Sequence, residues 1–195
     1  MAFGLSARLA VRHRSALLGL SSVEVGPRWA VSARQGNSVK VIFLDFDGVV
    51  VCLPVEWDRL ENGRGVHALN RAAVARLNDL VERTGAGVVV SSSWRLHQSV
   101  EHLTGYLRRA GFSGQVLDKT PDRHAWGAEE WQRGDEIMAW LKLNPQVTSY
   151  VALDDDFDHG AFPADRWVLV KDGWFAGGIQ DEHVEAATAA LERAA

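Results

Sequence analysis

One cysteine in 195 residues, Cys52, excludes an internal disulfide and fits a reducing compartment. No apolar run approaches the roughly 20 residues that a membrane span needs. The formal net charge is -4, so no global basic field recruits nucleic acid. The seven histidines show no ligand spacing and read as structural. What remains, 47% apolar and 24% charged, is the balance of a soluble globular protein, and a cytoplasmic location is expected. The length suits one well-buried domain and hardly two.

Charge is unevenly placed. Residues 1–40 hold six of the 21 bases (Arg8, Arg12, Arg14, Arg28, Arg34 and Lys40) and one of the 25 acids, Glu24. The rest of the chain therefore keeps 15 bases against 24 acids. An Arg- and Ser-rich, acid-poor start resembles an organelle transit peptide. The plainer and preferred reading is a flexible or over-extended segment over 1–38 ahead of a domain spanning 39–195.

Along that domain, short β-rich runs alternate with helical patterns. Val41-Ile42-Phe43-Leu44, Val88-Val89-Val90, Tyr150-Val151-Ala152-Leu153 and Trp167-Val168-Leu169-Val170 read as strands buried on both faces, and Val116-Leu117 as a weaker one. Between them, Val74, Leu77 and Val81 predict a helix from Asn70 to Thr84, stopped by Gly85. Val100, Leu103 and Leu107 predict a second, closed by Gly111. Ile137, Trp140 and Leu141 predict a third that ends before Pro145. Val184, Ala187 and Leu191 mark a terminal one. The alternation implies an α/β fold, a doubly wound parallel sheet, with at most a small insertion at Cys52–Val66.

In such sheets the ligand lies beyond the carboxyl ends of the strands. The residues directly after three apolar runs are Asp45-Phe46-Asp47-Gly48, Ser91-Ser92-Ser93-Trp94-Arg95 and Asp154-Asp155-Asp156. Carboxylates that converge on one spot repel one another unless a cation is present. Oxygen ligands without His or Cys favour magnesium over zinc. Asp45 can then attack phosphorus to give an aspartyl-phosphate. Asp47 would protonate the leaving oxygen and later activate water.

Asp45-Phe46-Asp47-Gly48-Val49-Val50 after an apolar strand resembles the first motif of the haloacid dehalogenase (HAD) superfamily. The resemblance implies a Rossmann-like core and a phosphatase whose nucleophile and metal ligand is Asp45. Asp47 would be the acid/base and would touch the metal through its backbone carbonyl. Ser91 matches the second motif and would hold the phosphoryl group together with neighbouring N–H groups, Ser92 included. Arg133, in Arg133-Gly134-Asp135-Glu136-Ile137, matches the basic third motif, with Lys119 as the alternative. Asp154-Asp155 matches the acidic fourth motif, Asp155 as direct ligand and Asp154 as its support, with Asp158 further out.

The wording around Ser91–Arg95, Arg133–Ile137 and Leu153–Asp156 is similar to the HAD domain of Swiss Army Knife RNA-repair proteins, over about residues 40–192. The implied substrate is a phosphomonoester, including nucleotide or nucleic-acid ends, with no membrane and no obligate protein partner. Arg95 reads equally as a phosphate contact or a structural ion pair. Trp94, Trp126 and Trp140 read as packing, Trp57 as a residue at the mouth of the site, and Cys52 as unreactive. The competing functions are a phosphotransferase on the same residues, a receiver-type phospho-acceptor domain, and a non-catalytic HAD scaffold.

Overall fold

The computed structural model describes residues 39–54, 57–59, 65–122 and 132–193. The 1–38 segment, Trp126 and the side chain of Trp57 lie outside the described residues.

Continuous apolar runs leave a strand no solvent face, so the strands of this chain sit in the centre of a layered fold. Five strands form one parallel sheet: β1 (Val39–Leu44), β4 (Gly87–Val90), β5 (Val116–Lys119), β6 (Val147–Asp154) and β7 (Trp167–Leu169). Their spatial order is β5-β4-β1-β6-β7. The order reverses direction at β1, so β1 and β6 flank the topological switch point where ligands enter doubly wound sheets. From Val41 to Leu44 every β1 side chain is fully buried.

Helices cover both faces. Helices α1 (Arg71–Thr84), α2 (Val100–Arg109) and α5 (Asp181–Glu192) close the face to which Ile42, Leu44, Val88, Val90, Val151 and Leu153 point. Helix α3 (Arg133–Leu143) closes the other through Ile137 and Trp140, against Val41, Phe43, Val89 and Ala152. The alternation of side chains along each strand thus sorts one core into two layers. A four-residue helix, α4 (Gly173–Ala176), and 3-10 turns at Ser93–Leu96 and Ala164–Arg166 complete the described elements. Among the described residues no helix is long and apolar enough to cross a membrane.

The expected elements are present with small shifts. The strand expected at Val116-Leu117 continues to Lys119, and the one expected to reach Val170 ends at Leu169, although Val170 N–H still donates to the Asp154 carbonyl (2.8 Å). The insertion after β1 carries a two-stranded antiparallel hairpin, β2 (Trp57–Arg59) and β3 (Gly65–His67).

Helix α1 shows how the local signals act. The Asn70 side chain accepts from the Ala72 and Ala73 N–H groups at 2.9 and 3.1 Å, satisfying donors that the first turn leaves open. At the other end Gly85 takes φ 68, which a side chain would resist, and its N–H donates to the Val81 carbonyl. Replacing Asn70 by Ala is expected to lower unfolding stability by about 1 kcal/mol, read by urea titration with an unchanged m-value. A midpoint identical to wild type would show that the cap contributes nothing.

Candidate active site

The strand register places the polar residues in one row. Leu44 pairs with Val90 on one side and with Leu153 on the other. The next residues, Asp45, Ser91 and Asp154, therefore stand side by side at the carboxyl edge of the sheet. The ladder continues into them: Asp45 N–H donates to the Leu153 carbonyl (3.0 Å) and Ser91 N–H to the Leu44 carbonyl (2.9 Å). All three are nearly closed to solvent, at 3%, 1% and 2% exposure.

Asp45, Asp154 and Asp155 each bring a carboxylate oxygen within 4.8 Å of the other two. Asp155 reaches this spot by passing over Gly48, which has φ 70 and no Cβ; a Cβ there would lie 2.1 Å from Asp155 Oδ2. The Gly of the Asp45–Gly48 stretch is thus required twice, by its backbone angle and by a neighbouring carboxylate.

Among the described residues, Arg133 is the cation that meets this cluster. Its Nη1 donates to Asp45 Oδ1 at 2.9 Å and closely to the Ser91 carbonyl, and its Nε lies 3.5 Å from Asp154 Oδ2. Burial alone would pull the guanidinium down, but Asp45 and Asp154 more than offset it, and its pKa is raised. Asp158 fixes where α3 begins: its carboxylate accepts from Arg133 N–H (2.9 Å) and its carbonyl from Gly134 N–H (3.0 Å). Lys119 is turned elsewhere. Its Nζ donates to the carbonyls of Arg95 (2.7 Å) and Gln98 (2.8 Å), pinning the loop after β4.

One guanidinium does not neutralise three carboxylates. Burial, and next to it the charge of Asp45, pushes Asp154 up to about 7 and Asp155 up to about 6. Asp154 Oδ2 is buried without a hydrogen-bond partner, despite the nearby Arg133 Nε. An orphaned carboxylate oxygen among all-oxygen donors fits a hard divalent cation such as magnesium. Asp45, Asp154 and Asp155 are the residues whose side chains would hold it.

The remaining sequence-derived candidates take different places. The Asp47 carboxylate lies outside the three-carboxylate group; its Oδ2 accepts from the Trp94 indole N–H at 3.0 Å. Trp94 also packs as expected, edge-on to Phe46 and Tyr106, but its hydrogen bond to Asp47 was not legible in the sequence. Ser92 Oγ accepts from the Trp94 backbone N–H (3.4 Å) and caps the turn that follows. Arg95 takes the structural role of its two readings: it is buried, donates to the Ser91 and Ser92 carbonyls, and forms a close ion pair with buried Glu136 on α3. Trp140 packs in the core against Phe43 and donates to Asp118 at 2.8 Å. Cys52 is buried, and burial raises its thiol pKa, as an unreactive cysteine requires.

A family profile described as "HAD domain in Swiss Army Knife RNA repair proteins" matches residues 41–184. No curated protein and no solved structure matches the chain.

Two outcomes are expected from this geometry. In the unfolded chain Asp154 and Asp155 lose their protons near the ordinary 3.8, whereas the folded, metal-free protein holds them to about 7 and about 6. The folded state therefore binds more protons across that window. The stability this contributes is complete below the unfolded value and disappears as pH rises through the folded ones. In EDTA the melting temperature is expected to fall between about pH 5 and 7.5, and magnesium to restore it mainly at the upper end. A metal-free protein that grows more stable over this interval would contradict the assigned crowding. Separately, Gly48→Ala should displace Asp155 and weaken magnesium binding by at least about tenfold, measured by calorimetry. Wild-type affinity in that variant would remove Asp155 from the ligand set.

Proposed function

Because the chain belongs to the family of HAD domains in Swiss Army Knife RNA repair proteins, we propose that it is a magnesium-dependent phosphohydrolase with Asp45 as nucleophile. The observation that carries this reading is the meeting of Asp45 with Asp154, Asp155 and Arg133 at the carboxyl edge of the sheet. Three crowded carboxylates beside one cation are a costly arrangement for a structural site and a useful one for handling phosphate.

A bound magnesium ion supplies the charge that lets an anionic carboxylate approach an anionic phosphate. An Asp45 oxygen forms a bond to phosphorus while the bond from phosphorus to the leaving oxygen breaks. Asp47 gives its proton to that oxygen. The Asp47 carboxylate then takes a proton from water as the water oxygen attacks the same phosphorus. The bond between phosphorus and Asp45 breaks, and inorganic phosphate leaves. In this reading Arg133, held between Asp45 and the Ser91 carbonyl, balances charge on the transferring group and the Ser91 hydroxyl orients it.

The substrate is a phosphomonoester, and the proposed class is a nucleotide or a nucleic-acid end. Four of the five exposed large apolar residues among the described ones follow the carboxyl ends of strands: Leu53 after β1, Leu96 after β4, Phe157 after β6 and Phe175 after β7. Phe157 and Phe175 are 53% and 81% exposed, faces on which bases can stack. The receiver-type alternative would need its acceptor after the third core strand, but Asp118 lies within β5 and its carboxylate accepts from the Trp140 indole in the α3 layer.

A phosphate-release assay with magnesium tests the reading. Asp45→Asn is expected to abolish turnover and Asp47→Asn to reduce it by about a hundredfold or more, with a smaller loss in Ser91→Ala. EDTA should silence the enzyme, and magnesium rather than zinc restore it. Undiminished activity in Asp45→Asn would refute the nucleophile. Phosphate release without any acceptor separates hydrolysis from phosphotransfer.

A further inference from the structure

The side chain that grips the acid/base carboxylate comes from the turn after β4, and it is a tryptophan. We propose that Trp94 is a positioning residue for Asp47: its indole N–H holds the carboxylate at the orientation from which the leaving oxygen is protonated. The inference rests on the proposed phosphatase reading.

Three observations support it. The Asp47 backbone is fixed by its pairing with Val51, and Gly48 N–H donates to the Val51 carbonyl (2.8 Å). The terminal torsion of an aspartate has a broad well, so contacts to the carboxylate set its orientation. The indole N–H, 3.0 Å from Asp47 Oδ2, selects one orientation and engages one oxygen. The donor is itself immobilised: the ring sits edge-on between Phe46, at 5.3 Å between centroids, and Tyr106, at 5.4 Å. Phe46 is fully buried and lies between Asp45 and Asp47 in the chain. The ring that aims Asp47 is therefore packed on the segment that carries the nucleophile.

Trp94 could instead serve packing alone, and leaving-group chemistry distinguishes the two roles. A nitrophenolate departs without help from a proton, whereas an alkoxide does not. Misaiming Asp47 should thus penalise alkyl phosphates selectively, while looser packing should penalise both. The quantity to read is kcat/KM, which covers the steps through departure of the leaving group and excludes hydrolysis of the phosphorylated enzyme.

The experiment measures kcat/KM with magnesium for p-nitrophenyl phosphate and glycerol phosphate in wild type, Trp94→Phe and Tyr106→Leu. Phenylalanine keeps an aromatic ring against Phe46 and Tyr106 but has no donor. In Trp94→Phe the loss on glycerol phosphate is expected to exceed that on p-nitrophenyl phosphate by about tenfold. Tyr106→Leu keeps the donor and loosens its seat, so the ratio should move the same way by roughly threefold. Equal losses on both substrates in a folded Trp94→Phe overturn the positioning role and leave the phosphatase reading intact. Should Trp94→Phe not fold, an unchanged ratio in Tyr106→Leu overturns it. A wild type that hydrolyses neither ester refutes the phosphatase reading, and the role of Trp94 falls with it.

Discussion

Mutual repulsion among Asp45, Asp154 and Asp155 is the constraint around which the rest of the structure is arranged. Two like charges about 4 Å apart repel by roughly 4 kcal/mol at an effective dielectric of 20. Three such oxygens lie within 4.8 Å, two of the residues almost wholly buried, and among the described residues Arg133 is the cation that faces them. The metal-free protein answers by holding protons on Asp154 and Asp155 into the range where an ordinary aspartate is ionised. In the proposed reading a divalent cation would offset the same repulsion in place of those protons.

Such a cluster persists only if its members cannot swing apart. Asp45, Ser91 and Asp154 are held by the sheet ladder itself, which runs one residue beyond the apolar runs into the polar row. Arg133 is held differently, because it arrives on a helix. Asp158 bonds the first two N–H groups of α3, and Gly134 lets the helix approach so closely that a Cβ would lie 1.6 Å from the His159 carbonyl oxygen. The buried Arg95–Glu136 pair, one turn along α3, ties the same helix to the loop after β4. Removing one partner of such a pair strands a charge in the interior, typically at a cost of about 3–5 kcal/mol.

Much of this was legible in the sequence, because a buried strand followed at once by acids or serines must deliver them to the sheet's carboxyl edge. Val41–Leu44, Val88–Val90 and Tyr150–Leu153 became adjacent parallel strands, and the residues after them became neighbours. Asn70 and Gly85 marked the ends of α1 because caps are local chemistry. Long-range choices were not legible. Arg133 and Lys119 are both basic residues near a strand end or helix start. Only the assembled fold decides that Lys119 faces the Arg95 and Gln98 carbonyls while Arg133 reaches Asp45. The bond between Trp94 and Asp47 spans 47 positions and follows no periodicity. The four-residue helix at Gly173–Ala176 is too short to show one.

The 3-10 turn at Ser93–Leu96 joins the two halves of the site. It leaves the sheet from the Ser91 end of the polar row, and its successive side chains go to opposite sides. Trp94 packs on the layer formed with α1, α2 and α5 and bonds Asp47; Arg95 crosses to Glu136 on the α3 layer. The Ser91 carbonyl at its base accepts from both Arg95 and Arg133. Lys119 on β5 clamps the turn from the side through the Arg95 carbonyl. A displacement of this turn would move Asp47, through Trp94, and Arg133, through the Ser91 carbonyl, together. The positions of Asp47 and Arg133 are therefore not independent in this fold. Substitutions at Trp94 and at Arg95 or Glu136 are coupled through the turn's backbone and should combine non-additively.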